Sequence, residues 1–421
     1  MRGWHRARWR WPLDFGAGLL RVSPRRLWKR FTTETQRSRR RDEWRARRAK
    51  TNNLRVLRAS VVNPDAPPLV TDSKAKSRYS VIPAKAGIHA AVASLAFAAA
   101  LYLTSAAAAE LPARPSQIIV FGDSLSDTGN AYIATLHGKA PSPPYYDGRF
   151  SNGPLWVEDF AATFGLATPP ALSGGTDFAV GGAKAGSSAD RLPYQADLYL
   201  LLSIFSRSDP RALFVVFGGG NDVRSALNKP DPARRLAHAA LSIRQMIEHL
   251  AAHGAVNFLV PNLPDRGLTP AARTRGTAES ETTLTLAYNA GLEAALRDLP
   301  DRLHINLVRV DFWTAVARAF AEPQRLGFTD ITEPCLVHDT AGYRQCAEPG
   351  HYVFWDDIHP TERGHRFLAA AALAAYTAAT RSPRPAPQAA QPAEARSGAV
   401  EQEVLATVRA HLDPTPAVEG R

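Results

Sequence analysis

"IIVFGDSLSDTGN", Ile118 to Asn130, is the stretch on which the reading of the fold turns. Its first four residues form an apolar, β-rich run of the kind that makes a buried parallel strand. The chain then becomes polar at Gly122-Asp123-Ser124 and passes straight into helix-capable sequence. Gly and Asp end strands and Ser caps helices, so the turn is by itself an ordinary strand-to-helix junction. The same junction would also hold Ser124 at the exposed end of a sheet, as a nucleophile. The turn alone does not separate these readings. The residues that would serve Ser124 must be sought elsewhere.

Working outward, short apolar runs alternate with longer helical patterns. The strand candidates are Gln117–Phe121, Asp177–Val180, Ala212–Phe217, Val256–Val260 and His304–Val310. Between the third and fourth, Leu236, Ala240, Ile243, Ile247 and Leu250 recur at helical steps, and Gly254 ends the run. Further helices are predicted over Ser280–Leu299 and Thr361–Ala379. This alternation predicts a three-layer α/β fold with about five parallel strands and helices on both faces. In such sheets functional sites lie at the carboxyl ends of the strands.

Charge is unevenly placed. Residues 1–80 carry 22 Lys+Arg against 6 Asp+Glu, or +16, while the whole chain is +12, which leaves −4 for residues 81–421. The alkaline pI of about 9.9 therefore belongs to the N-terminal segment and says nothing about partners of the folded part. Residues 1–80 show no sustained apolar period and are expected to be disordered, or not translated because the start is mis-assigned. A nucleic-acid-binding arm is the weaker reading. Residues 81–109 follow as a signal-peptide region. "HAAVASLAFAAALYLTSAAAAELPA", His89 to Ala113, has Lys85 upstream, an apolar stretch and an Ala-x-Ala site near Ala109. An uncleaved anchor over Ala90–Ala109 is the competing reading. The pattern predicts a secreted or periplasmic protein. The two cysteines, Cys335 and Cys346, are then expected to form one disulfide; in a reducing compartment they would be free buried thiols. The folded domain is expected over 115–380. Residues 381–421 read as a Pro/Ala-rich disordered tail, in which Val404, Val408 and Leu412 make a short amphipathic patch that either docks or belongs to the tail.

A serine nucleophile needs a base within reach, an orienting group for that base, and donors for the oxyanion. Among 12 histidines, two follow an Asp by three residues: Asp301–His304 and Asp356–His359. His304 opens a predicted strand and so sits at the amino end of the sheet, away from Ser124. His359 lies in "FWDDIHPTERGH", a loop after the last strand that can reach the Ser124 rim. "FAVGGAKAG" offers the Gly182 N–H and "FGGGND" the Asn221 amide, both at strand ends. Neither matches a dinucleotide or Walker phosphate loop, and Ser124 lacks the G-x-S-x-G elbow. Tyr145, Tyr146, Phe150, Trp156, Phe354 and Trp355 flank these blocks as candidates for an acyl pocket, with Trp156 assigned to the core by its helical spacing to Phe160. His338 and His351 have no spaced ligand set around them, and no metal is expected.

"FGDSLSDTGN", "FAVGGA", "GGGND" and "FWDDIHPT", in this order and spacing, resemble the GDSL, or SGNH, hydrolases over about Gln117 to Ala379. The resemblance implies a flavodoxin-like domain that hydrolyses carboxylic esters without metal or other cofactor. It implies Ser124 as nucleophile, His359 as base and Asp356 as its orienter. It places the oxyanion hole at the Ser124 N–H, the Gly182 N–H and the Asn221 side chain. Family spacing selects Asp356 over Asp357. Asp177 stands where members often have Asn. The implied partner is a small-molecule or lipid ester, with no nucleic acid for the folded domain, transient contact with a membrane surface as an open expectation, and a monomeric state. A carbohydrate acetylesterase and a lysophospholipase share this fold and stay open. The alternative of a different class is a non-catalytic binding protein with a basic, nucleic-acid-binding arm. The 41 residues after Thr380 are too few for a C-terminal β-barrel.

Overall fold

In a computed structural model of the chain, residues 110–186, 192–203, 208–382 and 396–412 are described. The basic segment 1–80 and the signal-like residues 81–109 lie outside them. Along the chain run β1 (Ile118–Gly122), α1 (Asn130–Ala134), α2 (Trp156–Ala162), α3 (Leu192–Leu202), β2 (Leu213–Phe217), α4 (Gly220–Ala226), α5 (Pro232–Ala252), β3 (Asn257–Pro261), α6 (Pro270–Thr274), α7 (Ala278–Leu296), α8 (Leu299–Leu303), β4 (Asn306–Val310), α9 (Phe312–Ala321), β5 (Asp330–Pro334), β6 (Leu336–Asp339), β7 (Gly342–Gln345), β8 (Tyr352–Phe354), α10 (Glu362–Arg381) and α11 (Arg396–Leu412).

The main sheet is parallel, in the order β1-β2-β3-β4. Ile118 lies opposite Leu213, and Asn257 opposite Asn306. β1, β2 and β3 are buried along their whole length, which is why they read as unbroken apolar runs rather than alternating ones. Successive aromatic side chains serve opposite faces. Phe121 and Phe214 pack on Tyr199 of α3, while Phe217 packs on Trp156 of α2 and Phe312 of α9. Accordingly α3, α5 and α7 pack together on one side, and α2, α9 and α10 on the other.

Five strands were expected; four form. The remaining segment, Asp177–Val180, runs beside β1 and is joined to it by a single bridge, Val120 to Asp177. Val120 N–H donates to Thr176 O at 3.0 Å, Phe178 N–H to Val120 O at 2.7 Å and Val180 N–H to Gly122 O at 3.1 Å. On its outer side the groups that would extend a ladder are taken by the backbone of Pro169 and Ala171, at 3.0 and 2.6 Å from Asp177, and by side chains. Ala179 N–H donates to Asp177 Oδ1 at 2.8 Å, and the carbonyls of Asp177 and Ala179 both accept from Asn130 Nδ2, at 2.8 and 2.9 Å. Such local side-chain bonds replace strand pairing. Counted as the second strand, this segment gives the order 2-1-3-4-5 of a flavodoxin-like sheet.

The expectation of a disordered tail over 381–421 is corrected for residues 396–412, which form α11. Val404 and Val408 are fully buried against α5 and α7. The close approach depends on Gly291 of α7, where a Cβ would meet Val408 Cγ2 at 2.6 Å. Of the two readings open for the Val404, Val408 and Leu412 patch, docking is the one observed.

Two small sheets stand apart from the main one: the parallel pair β5–β8 and the hairpin β6–β7. A disulfide joins Cys335 and Cys346 across the foot of that hairpin. Cys335 and Leu336 pack on the fully buried Trp355, one residue before Asp356.

Candidate active site

The nucleophile loop begins where β1 ends. A Cβ on Gly122 would lie 2.6 Å from the Phe217 carbonyl oxygen, so only glycine lets β1 and β2 close up here. The Gln195 amide of α3 grips this residue from both sides, accepting from Gly122 N–H at 2.8 Å and donating to Gly122 O at 2.7 Å. Ser126 and Asp127 then bond back through their N–H groups to Asp123 O, at 3.1 and 3.0 Å, and the chain turns with Ser124 at its outer corner. The buried Asp127 carboxylate accepts from Gly129, Asn130 and Ala131 and, across the site, from Gly181 N–H at 2.7 Å. One side chain thereby ties the serine loop to the loop that carries Gly182.

Ser124, His359 and Asp356, 235 residues apart at the extremes, come together. His359 Nε2 lies 2.8 Å from Ser124 Oγ, and His359 Nδ1 lies 2.9 and 2.8 Å from the two Asp356 oxygens. A carboxylate accepts only, so Nδ1 carries the proton and Nε2 faces the hydroxyl as acceptor. The loop is self-bracing. Asp356 Oδ1 also accepts from the N–H groups of Ile358 and His359, at 2.9 and 2.7 Å, and Trp355 N–H closes the turn on His359 O at 2.7 Å. Burial alone would raise the Asp356 carboxyl, but the charge and hydrogen bonds of His359 outweigh it and hold it below its usual value. Burial likewise lowers His359, yet Asp356 overrides this and the imidazole titrates above 6.5.

Gly182 and Asn221 line the same cavity as Ser124 and His359. Gly182 has φ +83° and open space where a side chain would start, so its backbone can meet a ligand directly. Asn221 Nδ2 donates to Ala183 O at 3.1 Å and, over a long 3.4 Å, to Asp123 Oδ2. Burial pushes the Asp123 carboxyl up to about 6 and that of Asp127 also to about 6. Asp177 is pushed well above its usual range, by burial first and then by the charge of Asp127.

His304 is exposed immediately before β4 and takes no part. Asp357 is exposed too; its carbonyl accepts from Ala271 N–H at 2.8 Å, while His359 Nδ1 bonds the two Asp356 oxygens instead. The aromatic candidates divide. Phe150 and Phe354 line the cavity, whereas Trp156 and Trp355 are fully buried core and Tyr146 is exposed. Tyr145 does something the sequence did not disclose: its hydroxyl donates to Asp356 Oδ2 at 2.9 Å. Sequence reading also passed over Gln195 and Asp127. Asp127 was visible inside the opening motif; Gln195, in an ordinary helix, carried no signal.

The cavity holds about 260 Å³. Away from Ser124 its wall is apolar, with Leu263, Leu268, Val316, Phe320, Phe328 and Phe354.

A family model described as "GDSL-like Lipase/Acylhydrolase" matches residues 118–372. Among curated proteins, the phosphatidylcholine-sterol acyltransferase of Aeromonas hydrophila is 33% identical over 241 residues, covering 55% of this chain and 69% of that protein. A GDSL esterase/lipase of Arabidopsis thaliana is 27% identical over 322 residues, covering 60% of this chain and 84% of that protein. Among solved structures, a member of the lipolytic G-D-S-L family from Veillonella parvula aligns at TM-score 0.35 and 16% identity, over 61% of this chain and 96% of that one.

Proposed function

Because the chain belongs to the GDSL-like lipase/acylhydrolase family, and is with it a carboxylic ester hydrolase, we propose that its reaction runs through an acyl-enzyme on Ser124. The observation that carries this is the single imidazole, His359, set within 2.9 Å of both the Ser124 hydroxyl and the Asp356 carboxylate. Ser124 Oγ attacks the ester carbonyl carbon while its proton passes to His359 Nε2. Asp356 stabilises the resulting imidazolium without taking the proton. The negative oxygen is received by the N–H groups of Ser124 and Gly182 and by the Asn221 amide, whose weak contact to Asp123 gives way. Collapse expels the alcohol, protonated by His359. Water then enters, loses its proton to His359, and releases the acid.

The substrate in this reading is an ester with an extended apolar acyl chain, because Leu263, Leu268, Val316, Phe320, Phe328 and Phe354 give the cavity a broad aromatic and aliphatic surface. The Aeromonas relative's name refers to phosphatidylcholine acyl chains, which agrees with this choice. Among the described residues no helix is long and apolar enough to cross a membrane. Export of the protein, with cleavage near Ala109, is supported by the Cys335–Cys346 disulfide, which belongs to an oxidising compartment. An acyl chain-length series of nitrophenyl esters tests the substrate reading. Turnover should rise from acetyl to octanoyl and vanish in Ser124→Ala; a maximum at acetyl would favour the carbohydrate acetylesterase alternative. N-terminal sequencing of the exported protein should start near Glu110.

A further inference from the structure

We propose that the cavity carries an anion subsite, built by Arg224 and Arg266, that selects esters whose alcohol part bears a phosphate. The inference rests on Ser124 being the nucleophile and adds the half of the substrate that the apolar wall does not address. Both arginines line the cavity. Arg224 lies one helical turn after Asn221 on α4. Arg266 enters from the loop after β3, and its Nη1 lies 3.5 Å from where a Cβ of Gly220 would stand. Both arginines thus belong to the cavity wall that also carries Asn221 and Ser124.

Their charge is balanced only in part by the protein. The Arg266 side chain is only 11% exposed, and its one ion-pair partner is Glu281, with Nη2 to Oε2 at 3.2 Å. Glu281 is shared: its other oxygen takes Arg275 at 2.9 Å and the Thr277 hydroxyl at 3.0 Å. Arg266 Nη2 meets Glu281 as an ion pair outside hydrogen-bond geometry, and Nε is buried without an acceptor. Nη1, beside Gly220, is the edge of the guanidinium left toward the cavity. Arg224 makes no hydrogen bond or ion pair among the described residues, and it acts on Arg266 as a like charge. The neighbouring carboxylates are occupied. Asp265 accepts from Gly267 N–H and the Thr282 hydroxyl, both at 2.8 Å, and Asp123 from Leu125 N–H at 3.1 Å. Asp123 does contribute attraction across Gly220, but it has no hydrogen bond to either guanidinium.

Two arginines with planar, forked donors suit a multi-oxygen anion better than a neutral hydroxyl. The apolar wall takes the acyl chain, so the arginines are left to the alcohol side of the scissile bond. A phosphate monoester there meets both the charge and the donor count.

The test uses two esters with one acyl chain: 1-decanoylglycerol 3-phosphate and 1-decanoylglycerol, both as monomers in low salt. The native protein should favour the phosphate ester in kcat/KM by at least about tenfold. Arg224→Ala should lower that ratio about ten- to a hundredfold, the range for hydrogen bonds to a charged group. Arg266→Lys keeps a cation against Glu281 and should lower the ratio while circular dichroism is unchanged; should it fail to fold, Arg224→Ala alone decides. Lys139 also lines the cavity, and Lys139→Ala reports on a diffuse positive field. A native ratio of one or less, a ratio untouched in the arginine variants, or an equal fall in Lys139→Ala overturns the subsite. If the neutral ester is still turned over and needs Ser124, the catalytic reading survives that result. If neither ester is turned over, the catalytic reading fails and the subsite falls with it.

Discussion

The two ends of the catalytic hydrogen-bond chain are held in different ways. Ser124 stands at the end of β1, where parallel pairing to β2, the Gln195 clamp and the Asp127 carboxylate fix the backbone on several sides. Asp356 and His359 stand in a loop after β8, outside the main sheet. That loop relies on its own Asp-centred turn, on Tyr145, and on a disulfide-closed hairpin packed on Trp355. Ser124, the proposed nucleophile, is held by the fold's core, and His359, the proposed base, by a local scaffold that other chain segments supply. Damage to the scaffold should therefore weaken the chemistry by degrees, while damage to the reacting groups should stop it.

The largest effects fall where the two ends meet. Ser124→Ala and His359→Ala should each lower kcat by roughly 10⁴–10⁶-fold with an unchanged circular dichroism spectrum. Full activity in Ser124→Ala would end the serine-hydrolase reading. Next, Asp356→Asn should cost about 10⁴-fold in kcat. Neutral imidazole is the active form and Asp356 raises its titration, so native activity should fall as pH drops through a value above 6.5. In Asp356→Asn that acid limb should move to lower pH. A limb that stays in place, or a greater loss in Asp357→Ala, would assign the orienting role to the wrong carboxylate.

Asn221→Ala removes one oxyanion donor and should cost on the order of 10²–10³ in kcat with little change in KM. Tyr145→Phe deletes a single hydroxyl donated to Asp356 Oδ2. About a tenfold loss in kcat is expected, from the lower part of the range for a bond to a charged group. Its acid limb should shift as well, which a purely packing role would not produce. The smallest effect on chemistry should come from reducing Cys335–Cys346. By loop-closure entropy this lowers stability by about 3 kcal/mol at most, read as a drop in Tm under dithiothreitol, with turnover retained at low temperature. His304→Ala should be silent in every assay, and activity lost there would break the distinction between the two rims of the sheet.

The same contrast explains what could be read from the sequence. β1, β2, β3 and β4 were legible because each is a short apolar run between turn residues. Strand order favoured His359 over His304, because it places one end of the sheet within reach of one histidine and not the other; the roles given to Ser124 and Asp356 came from the family resemblance and its spacing. Glycine-rich turns at strand ends made Gly182 and Asn221 candidates, and the resemblance supplied the oxyanion role expected of them. Tyr145 was not legible. It lies 211 residues from its partner, in a proline- and tyrosine-rich stretch without periodicity. Asp177–Val180 read as a strand because β-propensity does not register that side chains, here Asp177 and Asn130, take the outer backbone groups. The α11 patch was visible as Val404, Val408 and Leu412, but docking and tail stayed open because sequence does not show that Gly291 leaves room for Val408.

The Asn130 side chain has a consequence beyond the site. Its Nδ2 covers two outward carbonyls while its Oδ1 accepts from Leu172 N–H at 3.0 Å. Without that amide the buried Ala179 carbonyl would lose its partner, whereas the Asp177 carbonyl would keep Ala171 N–H at 2.6 Å. A buried acceptor left unmade costs stability. Asn130 is thus a fastener of the sheet margin, at work even when no ester is present. Its removal should show first as a lower Tm, before kinetics at low temperature report any change.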